Sequence, residues 1–151
     1  MFNIQEEAGE KVMMECLRLG QIHYKEVYAD KEAKVPMKYN WQFLKLCNDN
    51  GLIHMVTVRD EGNLVGYFTV LVSPDMLSST FCAEDIAIFV HPDYRGHGLW
   101  SEMLHTMEAI LTSNGVTTNL LKFQAGFNET LPVKEGYKLR ELVYEKMLLE
   151  D

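Results

Sequence analysis

Residues 81–111, FCAEDIAIFVHPDYRGHGLWSEMLHTMEAIL, constrain this chain more than any other stretch, because their order dictates a strand, a sharp turn and a helix in immediate succession. The run 81–90 is almost continuously apolar apart from Glu84 and Asp85. That is the pattern of a strand covered on both faces, where a carboxylate is tolerated when it is paired or at work. Pro92 ends the strand, and residues 99–111 carry an apolar stripe at helical spacing. Between them, residues 91–98 make a tight basic turn in which Arg95-Gly96-His97-Gly98 sets two glycines one residue apart. Such glycines permit positive φ and let the backbone approach a ligand closely. The amides of the turn and of the first helical residues then point outward without intrahelical partners, and the helix dipole adds partial positive charge. The result is an anion site suited to a phosphate.

The rest of the chain bounds what that site can serve. At 151 residues and 47% apolar composition, residues 1–151 are expected to form one domain with a real core. The first residues lack a basic region followed by an apolar one, and no apolar run approaches the ~18 residues of a membrane span. A cytoplasmic protein is therefore expected. Cys16, Cys47 and Cys82 are far apart and match no metal spacing, which suits reduced core thiols and predicts no metal site. A formal charge of −8 without a cluster of Lys and Arg opposes nucleic-acid binding and favours a cationic acceptor or partner. A homodimer is compatible with the chain.

Taken in order, residues 5–19 carry Val12, Met13, Cys16 and Leu19 at helical spacing, with Gly20 as a stop signal. Asn40 is placed to cap a second helix through Leu46, whose Trp41, Phe43, Leu44 and Cys47 read as core. From Leu52 the period changes to that of strands. Residues 52–59 and 64–73, separated by Asp60-Glu61-Gly62-Asn63, predict a hairpin. Residues 73–79 form a loop back to the strand at 81–90. Ser113-Asn114-Gly115 stops the central helix, residues 116–123 read as a strand, residues 124–135 as a connection with at most one helical turn, and residues 137–149 as a last long strand or two short ones.

The string VHPDYRGHGLW, residues 90–100, resembles the acetyl-CoA motif of the GNAT superfamily of N-acetyltransferases, Val-x-Pro-x-x-Arg-Gly-x-Gly followed by an apolar residue and then Gly or Ala. Trp100 departs from the pattern where the family has a small residue, which implies a phosphate loop reshaped or walled by an indole. The predicted element order also resembles the GNAT fold: an α+β domain with a central mixed sheet flanked by helices, its strands splayed at the cofactor site. The segments HYKE (23–26), 36–41 and 59–67, with the Gly136-Tyr137 ending, are similar to a GNAT subgroup common in bacteriophage genomes.

The resemblance implies acetyl-CoA (coenzyme A) as cofactor and transfer of its acetyl group to a primary amine by direct attack. The amine belongs to a small molecule, a peptide or a protein. Arg95, Gly96, His97, Gly98, Leu99 and Trp100 would surround the pyrophosphate, with Ser101 adding a hydroxyl and Arg95 steadying the turn or screening charge. Backbone groups of Phe89 and Val90 would bond the pantetheine arm and polarise the thioester carbonyl. Glu84 matches the place of a catalytic Glu in several GNAT enzymes, and burial there would bring its pKa toward the working range. Asp85, pointing to the opposite face, is the second carboxylate. His23 and Glu26 would border the acceptor. Many GNAT enzymes protonate the leaving thiolate with a Tyr four residues before the last Gly-aromatic pair, where this chain has Pro132. Tyr137 and Tyr144 remain as donors, as does solvent. The missing Tyr and the Trp100 substitution favour a competing class: a catalytically weak GNAT-shaped binding protein that acts on a partner through its acidic surface.

Overall fold

The computed structural model describes residues 1–124 and 128–149. Its centre is a five-stranded sheet in the order β1-β2-β3-β4-β5: β1 (Phe2–Glu6), β2 (Ile53–Asp60), β3 (Asn63–Pro74), β4 (Phe81–Val90) and β5 (Val116–Leu120). The first four strands are antiparallel neighbours, whereas β5 joins β4 in parallel. A parallel joint needs a crossover, and α4 (Leu99–Ser113) supplies it.

The sheet divides the apolar core into two layers. On one face Leu99, Met103, Leu104, Met107 and Leu111 of α4 pack against Val56, Phe68, Val70 and Ala83. On the other, Val12, Met13, Cys16 and Leu19 of α1 (Glu10–Val27) meet Met55, Tyr67 and Phe89, joined by Cys47 of α3 (Trp41–Asp49). The β2–β3 hairpin closes at Asp60↔Asn63 through Glu61 and Gly62, whose φ values of 48° and 85° suit a two-residue turn matched to strand twist. Short helices α2 (Ala29–Glu32) and α5 (Thr130–Lys134) complete the regular structure, α5 being the expected single turn; residues 125–127 of that connection lie outside the described residues.

Four expectations need correction. The chain begins with a strand: Phe2 and Ile4 alternate with Asn3 and Gln5, and β1 pairs with β2 from Phe2↔Asp60 to Glu6↔Val56. Helix α1 does not stop at Gly20 but runs on to Val27, because the missing side chain admits the Tyr39 hydroxyl; a Cβ at Gly20 would lie 2.4 Å from it. In α3, Asn40 does cap, its Oδ1 accepting from Phe43 N at 3.1 Å, but Trp41 and Phe43 are 37% and 49% exposed and are not core. Finally, residues 137–149 form no strand. Their alternation is strand-like, but among the described residues β5 has only β4 as a strand neighbour, and Leu139, Leu142, Val143, Tyr144 and Leu148 remain exposed. Cys16, Cys47 and Cys82 are free, the first two buried. Among the described residues no helix is long and apolar enough to cross a membrane.

Candidate active site

The site is built where the sheet stops being a sheet. Strands β4 and β5 pair from Phe81↔Val116 to Glu84↔Leu120, so among the described residues no strand lies beside 85–90 of β4 on that side. Beyond Leu120 the next main-chain donor goes to a side chain: Lys122 N donates to Asp85 Oδ1 at 2.9 Å. The Asp85 carboxyl thus stands between the two strands, and the fork opens from it.

At the open end, His91 N donates to Val65 O at 2.8 Å, so the odd-numbered residues there direct their backbone groups toward β3. Phe89 O, only 3.0 Å from where a Gly66 Cβ would stand, agrees, and this corrects the expectation that Phe89 offers backbone groups to the fork. Val90 does face the opening, but its carbonyl accepts from Arg95 Nε at 2.9 Å. Within a strand the N–H and C=O of one residue point to the same side, so the Val90 amide also faces the fork.

The chain then makes a 3-10 turn (Pro92–Tyr94), with His91 Nδ1 accepting from Asp93 N, and reaches the glycines. Gly96 and Gly98 have φ of 89° and 70°, conformations that glycine takes without steric cost. A Cβ at either would meet nothing within 4 Å, so the space over both is open. Gly98 caps α4 without a side-chain hydrogen bond, leaving the amides of Leu99, Trp100 and Ser101 to a ligand or solvent. The His97 ring leans on Phe2, while Trp100 packs edge-on against Phe123, ring centroids 5.5 Å apart, tying the start of α4 to the segment after β5. The Ser101 hydroxyl is not turned to the turn: it donates to Glu135 Oε1 at 2.8 Å, and His105 approaches the other oxygen.

The two carboxylates of β4 lie on opposite faces. A register shift at Thr69/Val70 leaves Ile86 without a partner; Asp85 pairs with Val70 on the α4 face and Glu84 with Leu71 on the α1 face. The expectation of a buried Glu84 is overturned. Its side chain is 47% exposed and its carboxylate sits 3.1 Å from Lys122 Nζ. Burial acts on Asp85 instead and pushes its carboxyl up to about 6, against the Lys122 amide and ammonium that favour the charged form.

On the α1 face five side chains gather beside Val90. His23 stacks on Phe89 with ring centroids 4.8 Å apart and planes 13° from parallel, and its Nδ1 is 3.0 Å from the Tyr67 hydroxyl. One turn along, both Glu26 oxygens bind the same Arg95 nitrogen at 2.9 and 3.1 Å. Arg95 also lies over Phe89, 5.3 Å from the centroid, so it locks the turn to α1.

The acetyltransferase (GNAT) family matches residues 16–130, which include the fork, the glycine turn and α4. The chain belongs to the GNAT acetyltransferase family. No curated protein sequence gives a significant match. Among solved structures, an aminoglycoside acetyltransferase from an uncultured soil metagenomic sample, in complex with sisomicin, superposes with a TM-score of 0.75 at 14% identity over 99% of this chain and 97% of that one. The ribosomal-protein-alanine N-acetyltransferase of Brucella melitensis biovar Abortus gives 0.69 at 15%, over 99% and 100%. A predicted acetyltransferase from Clostridium acetobutylicum, with acetyl-CoA, gives 0.67 at 13%, over 98% and 97%. At such identities the likeness is one of fold, a five-stranded mixed sheet with flanking helices, and the family makes the chain an N-acetyltransferase.

The GNAT cofactor is testable against these residues. Two positive-φ glycines with open space beside them and a helix start without a side-chain cap fit a pyrophosphate. The fork, with the Val90 amide turned into it, fits an arm laid as an extra strand. Tyr137 does not stand at this GNAT site. Its hydroxyl donates to Glu108 Oε2 at 3.0 Å and accepts from Asn119 Nδ2 at 2.9 Å, and Asn119 pairs with Ala83 within the closed part of the β4–β5 ladder. Burial pushes that phenol up to about 12. Exposed Tyr144 has no place in the fork either. Sequence reasoning missed Tyr67, Lys122 and Glu135. Tyr67 reads as one more alternating strand residue, and only the α1 packing shows that it meets His23; nothing in the sequence marks the other two.

Proposed function

We propose that the chain transfers the acetyl group of acetyl-CoA to a primary amine by direct attack of the amine on the thioester carbonyl. The observation that carries this reading is the end of β4–β5 pairing at Glu84↔Leu120, directly followed by a glycine turn at an uncapped helix start. Acetyl-CoA supplies an activated acyl carbon when bound. Main-chain amides from Gly96 to Trp100 hold the pyrophosphate, and Arg95 serves by keeping the turn fastened to Val90 and Glu26. The Val90 amide donates to the carbonyl oxygen as charge develops there.

An ammonium must lose a proton before attack. Glu84 stands on the α1 face, where His23 and Glu26 also lie, and takes that proton directly or through water, with Lys122 holding its carboxylate. Asp85 is on the other face, engaged with the Lys122 amide, and keeps the fork open. With Tyr137 committed to Glu108 and Asn119, solvent protonates the departing thiolate, whose low basicity makes a dedicated acid dispensable.

The test is calorimetric titration with acetyl-CoA together with a thiol-release assay over a panel of amines. Binding with amine-dependent thiol release supports the proposal. Binding without release from any amine would leave a GNAT-shaped binding module acting on a partner, and absence of binding would remove the site.

A further inference from the structure

The pair formed by His23 and Tyr67 decides what kind of amine the site takes. Tyr67 is buried, 4% exposed, and among the described residues its hydroxyl has His23 Nδ1 as its partner, at 3.0 Å. A buried hydroxyl needs an acceptor for its proton. If Nδ1 carried a proton of its own, the phenol proton would be left without one; an unprotonated Nδ1 accepts it. The Tyr67 O–H therefore donates to Nδ1, and the neutral imidazole carries its proton on Nε2.

Two features hold that state. Stacking on Phe89 fixes the ring plane. Burial lowers the His23 pKa, and the nearby Arg95 cation adds to this against the pull of Glu26, so the ring stays neutral. Nε2 lies across the ring from Nδ1 and so points away from Tyr67. Phe89, under the ring, directly precedes Val90, whose amide faces the fork.

The anion beside His23 is already answered, because both Glu26 oxygens are bound to Arg95. A second ammonium of a polyamine would have to compete with that guanidinium for Glu26. Beside that ion pair, His23 adds a neutral N–H at Nε2.

Resting on the acetyl-transfer reading, we infer that Tyr67 is a positioning residue that makes His23 a hydrogen-bond donor at Nε2, and that the acceptor is a small amine with a hydroxyl oxygen close to its nitrogen, not a bare alkyl polyamine. His23 then recognises the acceptor and does not take its proton, which leaves that role to Glu84.

The experiment reads His23 directly. In protein labelled with ¹⁵N-histidine, long-range ¹H–¹⁵N spectra are expected to show Nε2 protonated and Nδ1 bare in the parent, with the preference lost in Tyr67→Phe. A proton on Nδ1 in the parent overturns the inference. Titrating the acetyl-CoA-loaded protein with glucosamine should shift the Nε2 signal, whereas 1,4-diaminobutane should leave it in place; the reverse also overturns it. In the thiol-release assay glucosamine should exceed 1,4-diaminobutane in kcat/KM by about fivefold or more, the worth of one hydrogen bond. That margin should vanish in a folded His23→Gln variant, and a margin that survives counts against the inference. A glucosamine-dependent shift with no acetyl transfer would defeat the enzymatic reading while sustaining the His23 assignment. Acetyl transfer with an Nδ1-protonated His23 would do the opposite.

Discussion

A single Cβ at Gly98 would test the phosphate turn. At φ 70° a β-branched side chain is strained by about 1–2 kcal/mol, and the new atoms would enter the open space over the turn. Gly98→Val is expected to stay folded with a slightly lower melting temperature and to lose acetyl-CoA binding by calorimetry. The two carboxylates of β4 give a contrasting pair. Asp85 has a folded pKa near 6, above its unfolded value of 3.8, so the folded state holds the extra proton. Its contribution is therefore favourable only at low pH and is lost as pH rises through the window from about 4 to 6. At neutral pH the charged, buried form costs about 2–3 kcal/mol, and Asp85→Asn should raise stability toward urea at pH 7.5, with the gain fading below about pH 5. Glu84→Gln should instead leave stability near parental and lower turnover by about a hundred- to ten-thousand-fold, with the loss shrinking at high pH where more acceptor is already neutral. Parental turnover in that variant would make Glu84 a structural partner of Lys122.

Among the elements, those written in a short local code were legible from sequence. The β4-turn-α4 unit falls within two residues of its expected bounds because Pro92, two glycines and an apolar stripe act in sequence. The β2–β3 hairpin and the Asn40 cap follow from turn and capping chemistry alone. What was hidden depends on contacts from afar. Strand β1 is short and exists by pairing with β2, and Gly20 reads as a helix stop until Tyr39 is seen to occupy its space. Arg59 is the clearest case. At the end of β2 it binds Glu7 through Nε and Nη2, Glu15 through Nη1 and Nη2, and the Gly62 carbonyl, while Thr57 donates to Glu7. This joins hairpin, β1 and α1. Arg59 holds the Glu7 carboxyl below the usual carboxylate range, a stabilisation present above the unfolded pKa and lost as pH falls through the folded one. Arg59→Met should cost about 1–3 kcal/mol toward urea at pH 7, and the gap between variant and parent should narrow in strong acid.

Over the whole molecule, the two walls of the fork come from segments that meet only through the α4 crossover. Strands β2, β3 and β4 follow one another by short turns, but β5 reaches β4 only after residues 91–115, is largely exposed and among the described residues has one strand neighbour. That arrangement makes β5 the weakest rung of the ladder. In hydrogen exchange its amides should open at lower free energy than those of β2–β4, and saturating acetyl-CoA should slow them selectively; uniform protection across all five strands would contradict this. The closure at Asp85 and Lys122 also has a temporal meaning. A nascent chain can complete the meander as soon as Val90 has emerged and still hold no place for a thioester, because the opposing wall has yet to be made. Competence to bind therefore cannot precede the arrival of residues 116–122 against β4. A ligand bound in the fork would then act as a late-stage clasp, and its concentration would set how much of the population has both walls in place.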